Sequence, residues 1–562
     1  GQWIMSKRYT GREIVMETLV AQGVDYIFGN PGTTELPLLE LLPDYPQIEY
    51  IVALQEAVVV SMADAYAQTS GKVGVANLHV GPGLGNALGS LYNAWEGQSP
   101  LVVTAGQQDT RYRLREPVLW HDLVAMAAPL TKWSVQAESA DELPELLNRA
   151  FKIAQDPPTG PVFVALPLNV MIQQTAHAPI APSQIYRRNI PEQAGLEAAA
   201  NIILEASNPL IFCGDKVARA GAVEELVTFA ERLGASVHGD ILPAQMNFPN
   251  QHPNFSGRGA GDYAQIRAMT EGADLVVLVG GEFFEEVWFV DTEPFPADAR
   301  VIQIDSGARN LGRNHRLDCG LLGDPKLTLA ALNATLEQRA DGDYRQAAKT
   351  RRAALAVRKE KERSGQRARI DKTGGNRPMS SAKLVDEIWK ALPADVAVAR
   401  EAITTDNDIN RTFAFANAGD FVGSRGGGIG QGLPTAIGMK LAYPDRPVLC
   451  LSGDGSSLYT IQALWTAAHH RLPIVFVILN NQVYRVLKYN MNRFRVEAGV
   501  TDRQGYPHLD LTEPAMDFVS IATGFGIKAR RISEPEDVGP AVREAFASNE
   551  PVLLDMVIDG EV

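Results

Sequence analysis

Two polar residues 27 positions apart, Asp454 and Asn481, each follow an apolar run of strand character. The first run ends Cys-Leu-Ser-Gly-Asp-Gly-Ser-Ser and the second ends Val-Ile-Leu-Asn-Asn, with an apolar helical stretch, Leu458 to His470, between them. Neighbouring strands of a parallel sheet end side by side, and open α/β sheets bind ligands outside those carboxyl ends. A carboxylate and an amide oxygen placed there suit a hard cation such as Mg2+, which keeps oxygen ligands and often carries phosphates. Gly453 and Gly455 permit a tight turn and the close approach of a phosphate, and a following helix N-terminus favours an anion. Asp-Gly alone is a common turn. The order strand, Gly-Asp-Gly, helix, strand, Asn-Asn is the specific signal.

Glu56 is a second candidate. It follows the run Ile51-Val-Ala-Leu-Gln and opens a helix. A lone glutamate there usually just complements the helix dipole. Gly423-Ser-Arg-Gly-Gly-Gly-Ile-Gly-Gln-Gly-Leu-Pro is a third candidate: bare backbone interrupted by one bulky aliphatic residue, Ile429. That stretch and Gly81-Pro-Gly-Leu-Gly-Asn are also open to a dinucleotide-loop reading, although neither shows the downstream acidic residue in a clean fingerprint. His79 ends an apolar strand, where a lone histidine is more often structural than functional.

Positioning these groups takes alternating strands and helices, and the chain has them. Strands are expected at Tyr26–Gly29, Ile48–Leu54, Val73–His79 (running into a Gly-rich turn), Pro100–Ala105 and Pro161–Leu166. Helices are expected at Gly11–Gln22, Glu35–Leu42 and Glu56–Gln68. The pattern restarts near residue 185 with a helix at Leu196–Ala206 and strands at Leu210–Cys213, Ser236–Gly239, Leu275–Val279 and Val301–Ile304. A third block has strands at Val396–Ala399, Val448–Leu451 and Ile474–Leu479. Short apolar strands separated by helices predict βαβ units and parallel sheets. The expected organisation is three doubly wound α/β domains, 1–185, 186–345 and 378–562, with a charged, solvated helix and linker over 346–377.

The bulk numbers agree with a large globular enzyme and exclude other classes. A chain of 562 residues, 45% hydrophobic and 21% charged, has material for several cores. Its net charge of −14 and pI near 5.3 argue against a nucleic-acid or membrane-surface binder. Cys213, Cys319 and Cys450 lie far apart, outside any disulfide or zinc spacing, which fits a reducing cytoplasm. No apolar run reaches membrane-spanning length. The N-terminus shows no signal-peptide core, and Gly1–Ile4, before Met5, read as a cloning remnant.

The segment from Gly453 to Asn481 resembles the diphosphate-binding motif of the thiamine-diphosphate enzymes. The resemblance runs over nearly the whole chain. It narrows toward benzoylformate decarboxylases through Phe28-Gly-Asn-Pro-Gly-Thr-Thr-Glu-Leu-Pro, Ala53-Leu-Gln-Glu-Ala, Asn77-Leu-His, Asn93-Ala-Trp, Val103-Thr-Ala-Gly-Gln-Gln and Ala463-Leu-Trp-Thr-Ala-Ala. It implies that the three domains are pyrimidine-binding, central and diphosphate-binding. It also implies that the cofactors are thiamine diphosphate and Mg2+, with Asp454, Asn481 and the Val483 carbonyl as metal ligands beside two diphosphate oxygens and a water. Glu56 would hydrogen-bond the aminopyrimidine ring, which then takes the thiazolium C2 proton. The Gly427 carbonyl would accept from the 4′-amino group, and Ile429 would wedge the cofactor into its bent shape. Thr404, Gly453, Gly455, Ser456 and Tyr484 complete the cofactor contacts. Thr33, Thr34, His79, Gly423, Val486 and Asn490 fall in the substrate pocket, with His79 in proton transfer.

The departures carry information too. Thr33 stands where the family has a carboxylate-binding serine. Gly280–Trp288 holds no counterpart of the second pocket histidine. Gly423 and Asn490 replace two aromatic residues that shape a phenyl pocket. The pocket is therefore expected to be roomier and more polar than one built for benzoylformate. The implied reaction is decarboxylation of a 2-oxo acid to an aldehyde. The alternatives are carboligation of the acetolactate-synthase type, a non-catalytic homologue and an NAD-dependent oxidoreductase. The resemblance also implies a homodimer as the minimal active unit, with Glu56 from one subunit meeting its neighbour's diphosphate site, and commonly a homotetramer. The central domain in related carboligases binds FAD; near Gly257 and Gly281 no convincing flavin signature is present, and the domain is expected to be structural.

Overall fold

A computed structural model describes residues 7–562; the remnant expected at Gly1–Ile4 lies outside the described residues. The chain divides into two compact units. One joins the chain up to Ile185 with Ala391–Thr404 and Val422–Val562; the other joins Tyr186–Lys390 with Thr405–Phe421. Three six-stranded sheets carry the architecture.

The first sheet contains β1 (Tyr26–Gly29), β2 (Glu49–Val52), β3 (Gly74–His79), β4 (Leu101–Gln107), β5 (Trp133–Gln136) and β6 (Val162–Pro167), in the order β2-β1-β3-β4-β6-β5, all parallel. The second contains β7 (Pro209–Cys213), β8 (Ser236–Gly239), β9 (Phe255–Arg258), β10 (Leu275–Val279), β11 (Arg300–Asp305) and β12 (Cys319–Leu322), ordered β9-β8-β7-β10-β11-β12. The third contains β13 (Ala397–Glu401), β14 (Phe421–Val422), β15 (Val448–Gly453), β16 (Ile474–Asn480), β17 (Lys528–Ile532) and β18 (Val552–Val557), ordered β14-β13-β15-β16-β18-β17. The expected α/β class with three doubly wound parallel sheets is what the chain adopts. The first and third sheets share one strand order. The second has the order of dinucleotide-binding folds, whose ligand crevice lies where β7 and β10 diverge. Beyond the end of β7, Lys216 pairs with buried Asp305 at 2.7 Å and approaches Glu282 at 3.5 Å.

Two helices join the first and third sheets into one core. Helix α1 (Glu56–Ser70) buries every residue from Val58 to Ala67, so it is apolar nearly all round. It packs against a helix at Gly432–Ala442, whose Leu433, Ala436 and Ile437 share its core. Each fully buried Val, Leu, Ile or Met there stabilises the fold by about 1.5–3 kcal/mol. Helix α2 (Val80–Glu96) starts directly at the end of β3. Gly81–Asn86 is therefore the opening of a helix, and the Gly-rich turn expected there is not formed.

Residues 346–377 fall mostly in one 32-residue helix, Gly342–Thr373, belonging to the second unit. Ala348, Lys359, Gln366 and Ile370 bury one of its faces, and the Lys359 ammonium donates to the carbonyls of Asn250 and Phe255. Among the described residues no helix is long and apolar enough to cross a membrane, and the three cysteines are free and buried.

Candidate active site

The chain ends β15 at Gly453 and turns into Asp454; it ends the parallel neighbour β16 at Asn480 and turns into Asn481. Asp454 is buried, and desolvation pushes its carboxyl up to about 6 against the opposing pull of nearby backbone N–H groups. Asn481 Oδ1 accepts the Val483 N–H at 3.2 Å, while Asn480 is spent inside, donating to Asp555 at 2.9 Å. One carboxylate, one amide oxygen and the carbonyls of the 481–483 turn are all hard oxygen donors, with no thiolate or imidazole among them. This donor set fits Mg2+. Gly455 has a different use from the one its motif suggests: an added Cβ would lie 2.6 Å from the Tyr484 ring, so the missing side chain makes room for Tyr484.

The helix expected from Leu458 to His470 is two short pieces, Asp454–Leu458 and Ala463–His469. The break has a cause. Thr460 Oγ1 donates to the Gly430 carbonyl at 2.7 Å, tying the interruption to the Gly-rich loop. From the other side Glu401, buried at the end of β13, accepts the N–H groups of Gly430 at 3.0 Å and Gln431 at 2.7 Å. Burial pushes the Glu401 carboxyl up to about 7 against these bonds. Gly427 is exposed with φ +75°, and Ile429 is half-buried. Thr404 is half-buried and Ser456 buried.

A second cluster forms at the head of the first sheet. Glu56, half-buried at the N-terminus of α1, accepts from Asn30 Nδ2 at 3.2 Å through Oε1 and from Asn86 Nδ2 at 3.0 Å through Oε2. Beside it His79 Nδ1 lies 2.8 Å from Glu35 Oε2. Glu35 is 1% exposed, and it also accepts the N–H of Gly32 at 2.7 Å, the N–H of Gly106 at 2.9 Å and the Thr34 hydroxyl at 2.7 Å. A carboxylate so placed accepts from Nδ1–H and fixes the orientation of the ring. Thr34 is 3% exposed and its hydroxyl is committed to Glu35, whereas Thr33 is exposed. Thr34 Oγ1 also lies 3.2 Å from His79 Nδ1, which places it beside the His79–Glu35 pair.

Glu35, Asn30, Asn86 and Glu401 were not legible as site residues. Each is an ordinary polar residue whose partner lies far away along the chain. The only signal was membership of the Asn-Pro-Gly-Thr-Thr-Glu and Gly81–Asn86 stretches. Val486 and Asn490 lie on a helix at Arg485–Glu497 that has no buried residue, and Gly423 directly follows β14. Among the described residues the hydrogen bonds of Glu56 and His79 stay within the first block, and those of Asp454 and Asn481 within the third.

Three family profiles match in sequence: the N-terminal TPP binding domain of thiamine pyrophosphate enzymes over residues 9–126, their central domain over 196–332 and their C-terminal TPP binding domain over 405–556. This chain belongs to the thiamine pyrophosphate enzyme family. It is 33% identical to a benzoylformate decarboxylase of Pseudomonas aeruginosa, across 96% of this chain and 97% of that protein. It is 30% identical to a probable acetolactate synthase large subunit of Methanocaldococcus jannaschii, across 98% and 92%. A solved structure of a thiamine diphosphate-dependent 4-hydroxybenzoylformate decarboxylase from Rhodococcus jostii RHA1 superposes with a TM-score of 0.86 at 28% identity, covering 98% of this chain and 100% of that one. Membership of this family sets aside the dinucleotide reading of the Gly-rich loop and of Gly81–Asn86.

Proposed function

We propose that this protein is a thiamine-diphosphate- and Mg2+-dependent decarboxylase of 2-oxo acids, releasing CO2 and an aldehyde in the cytoplasm. The observation that carries this reading is His79 held by buried Glu35. Aldehyde formation requires a proton at the carbon that lost CO2, and an oriented imidazole can deliver it. When bound, the cofactor supplies the electron sink that lets CO2 leave.

The chain's own residues do the rest. Asp454, Asn481 and the Val483 carbonyl hold the cation against the diphosphate. Thr404, Gly453, Gly455, Ser456 and Tyr484 border that end of the cofactor. Glu56, its two oxygens already oriented by Asn30 and Asn86, holds the aminopyrimidine ring. Gly427 and Ile429 would lie against the cofactor. Thr33 keeps a free hydroxyl for the substrate carboxylate, because Thr34 is engaged with Glu35. Gly423, Val486 and Asn490 border the side-chain pocket, and the absence of aromatic bulk there favours a substrate larger or more polar than benzoylformate.

Acetolactate-synthase-type carboligation is the second reading, favoured by the 30% identity to such a subunit and by the small or polar residues at Gly423 and Asn490, which would leave room for a second carbonyl compound. The ratio of aldehyde to 2-hydroxy ketone separates the two. The pocket argument is tested by Gly423→Phe, which should raise kcat/KM on benzoylformate several-fold. An unchanged or lower value would contradict it.

A further inference from the structure

The Gly-rich loop is anchored on both sides of Ile429. On the C-terminal side Glu401 takes the N–H groups of Gly430 and Gln431, and Thr460 donates to the Gly430 carbonyl. On the N-terminal side Asn93 holds the loop at Gly428. Asn93, near the end of α2 and 3% exposed, donates through Nδ2 to the Gly428 carbonyl at 3.0 Å. It also accepts the Gly428 N–H through Oδ1 at 3.0 Å. A carboxamide bonded to both backbone groups of one residue substitutes for a strand partner, and no other side chain of its size offers one donor and one acceptor in a single plane.

The approach is close enough to dictate the loop sequence. An added Cβ at Gly426 would lie 2.3 Å from Asn93 Oδ1, and one at Gly428 would lie 2.9 Å from Asn93 Nδ2. Gly426 and Gly428 are therefore glycines because Asn93 lies against them. Gly427, between them, is the exposed one.

We infer that Asn93 is the positioning residue that sets the shape of the cofactor-bending loop, fixing the Gly427 carbonyl and the Ile429 side chain through its paired hydrogen bonds to Gly428. It acts through the loop and touches no ligand itself. The inference rests on the functional reading above.

Asn93→Asp tests it with a built-in control. The variant keeps the acceptor for the Gly428 N–H but sets a second acceptor against the Gly428 carbonyl. Protonation of the buried carboxyl, favoured by its desolvation, restores the donor. Thiamine diphosphate is titrated in the presence of Mg2+ at pH 8 and pH 6, following tryptophan fluorescence, with near-ultraviolet circular dichroism of the bound cofactor recorded in parallel. Relative to wild type at the same pH, the variant should bind about tenfold more weakly at pH 8 and recover most of that deficit at pH 6. Asn93→Ser, which cannot make both bonds, should show a deficit that does not change between the two pH values. Thermal unfolding of the cofactor-free variants checks that each is folded. Kd values within twofold of wild type for both variants at both pH values, with unaltered dichroism, would overturn the inference. A wild-type protein that takes up no thiamine diphosphate would overturn the functional reading, and this inference with it.

Discussion

Glu35 changes what His79 can do. Without it the imidazole would sit at the end of an apolar strand with either nitrogen free to carry the proton; with it, Nδ1 is pinned. Glu35→Gln replaces that carboxylate with a neutral amide of similar size. Decarboxylation kcat should fall roughly ten- to a hundredfold, with thiamine diphosphate affinity unchanged, as measured by steady-state CO2 release and fluorescence titration. Unaltered kcat would exclude His79 as the proton donor. Glu56→Gln keeps its contacts with the amides of Asn30 and Asn86 only in part, since a carboxamide has one acceptor oxygen. Turnover should fall by at least a hundredfold while diphosphate binding survives.

At the scale of elements, Glu401 ties β13 to the Gly-rich loop at the expense of a fully buried carboxyl, raised mainly by desolvation to about 7 from its ordinary 4.5. A group raised in the folded state contributes stability that is full below its unfolded pKa and is lost as pH rises through its folded pKa. Glu401 therefore makes the cofactor-free protein more stable near pH 4.5 than above pH 7. Glu401→Gln should flatten that part of the curve: its thermal unfolding midpoint should change less between pH 5 and pH 8 than that of wild type. An equal change would remove Glu401 as the source.

The same scale shows what the sequence makes legible. Tyr26–Gly29, Ser236–Gly239 and Leu275–Val279 lie inside their sheets and are mostly buried, and their predicted limits coincide with the structure. The strands that escaped notice are mainly edge strands: Trp133–Gln136, Phe255–Arg258, Cys319–Leu322, Phe421–Val422 and Lys528–Ile532 each end a sheet. An edge strand has one exposed side and carries polar residues, so it lacks the apolar run that betrays an interior one. Val552–Val557 is different: it is apolar and almost wholly buried, and its pattern was readable. The candidate site divides in the same way. Asp454, Asn481 and Glu56 announce themselves by what precedes them in sequence. Glu35, Asn93 and Glu401 matter through partners up to hundreds of residues away, which no local pattern records.

At the scale of the molecule, the first and third sheets repeat one strand order within one unit, and each carries half of the proposed chemistry. Glu56 and His79 belong to the first and Asp454 and Asn481 to the third; the hydrogen bonds described for these four residues stay within their own half, while Asn93 and Gly428 link the two halves. We propose that a second copy joins one chain's Glu56 to the other's Asp454, which would complete two sites per dimer; pairs of dimers would give a tetramer. This arrangement makes a complementation prediction. Glu56→Gln and Asp454→Ala chains, each inactive alone, should regain activity when unfolded and refolded together, because one site of each mixed dimer then contains both native residues. No regain from a mixture shown to form mixed dimers would place both residues in the same chain's site.

The most direct test of the central claim is CO2 release from a panel of 2-oxo acids, from pyruvate through branched-chain and aryl acids to larger polar ones, with thiamine diphosphate and Mg2+ each supplied or withheld. The account predicts release only when both are present, with a preferred substrate larger or more polar than benzoylformate. No release from any acid by protein that has bound both would contradict it.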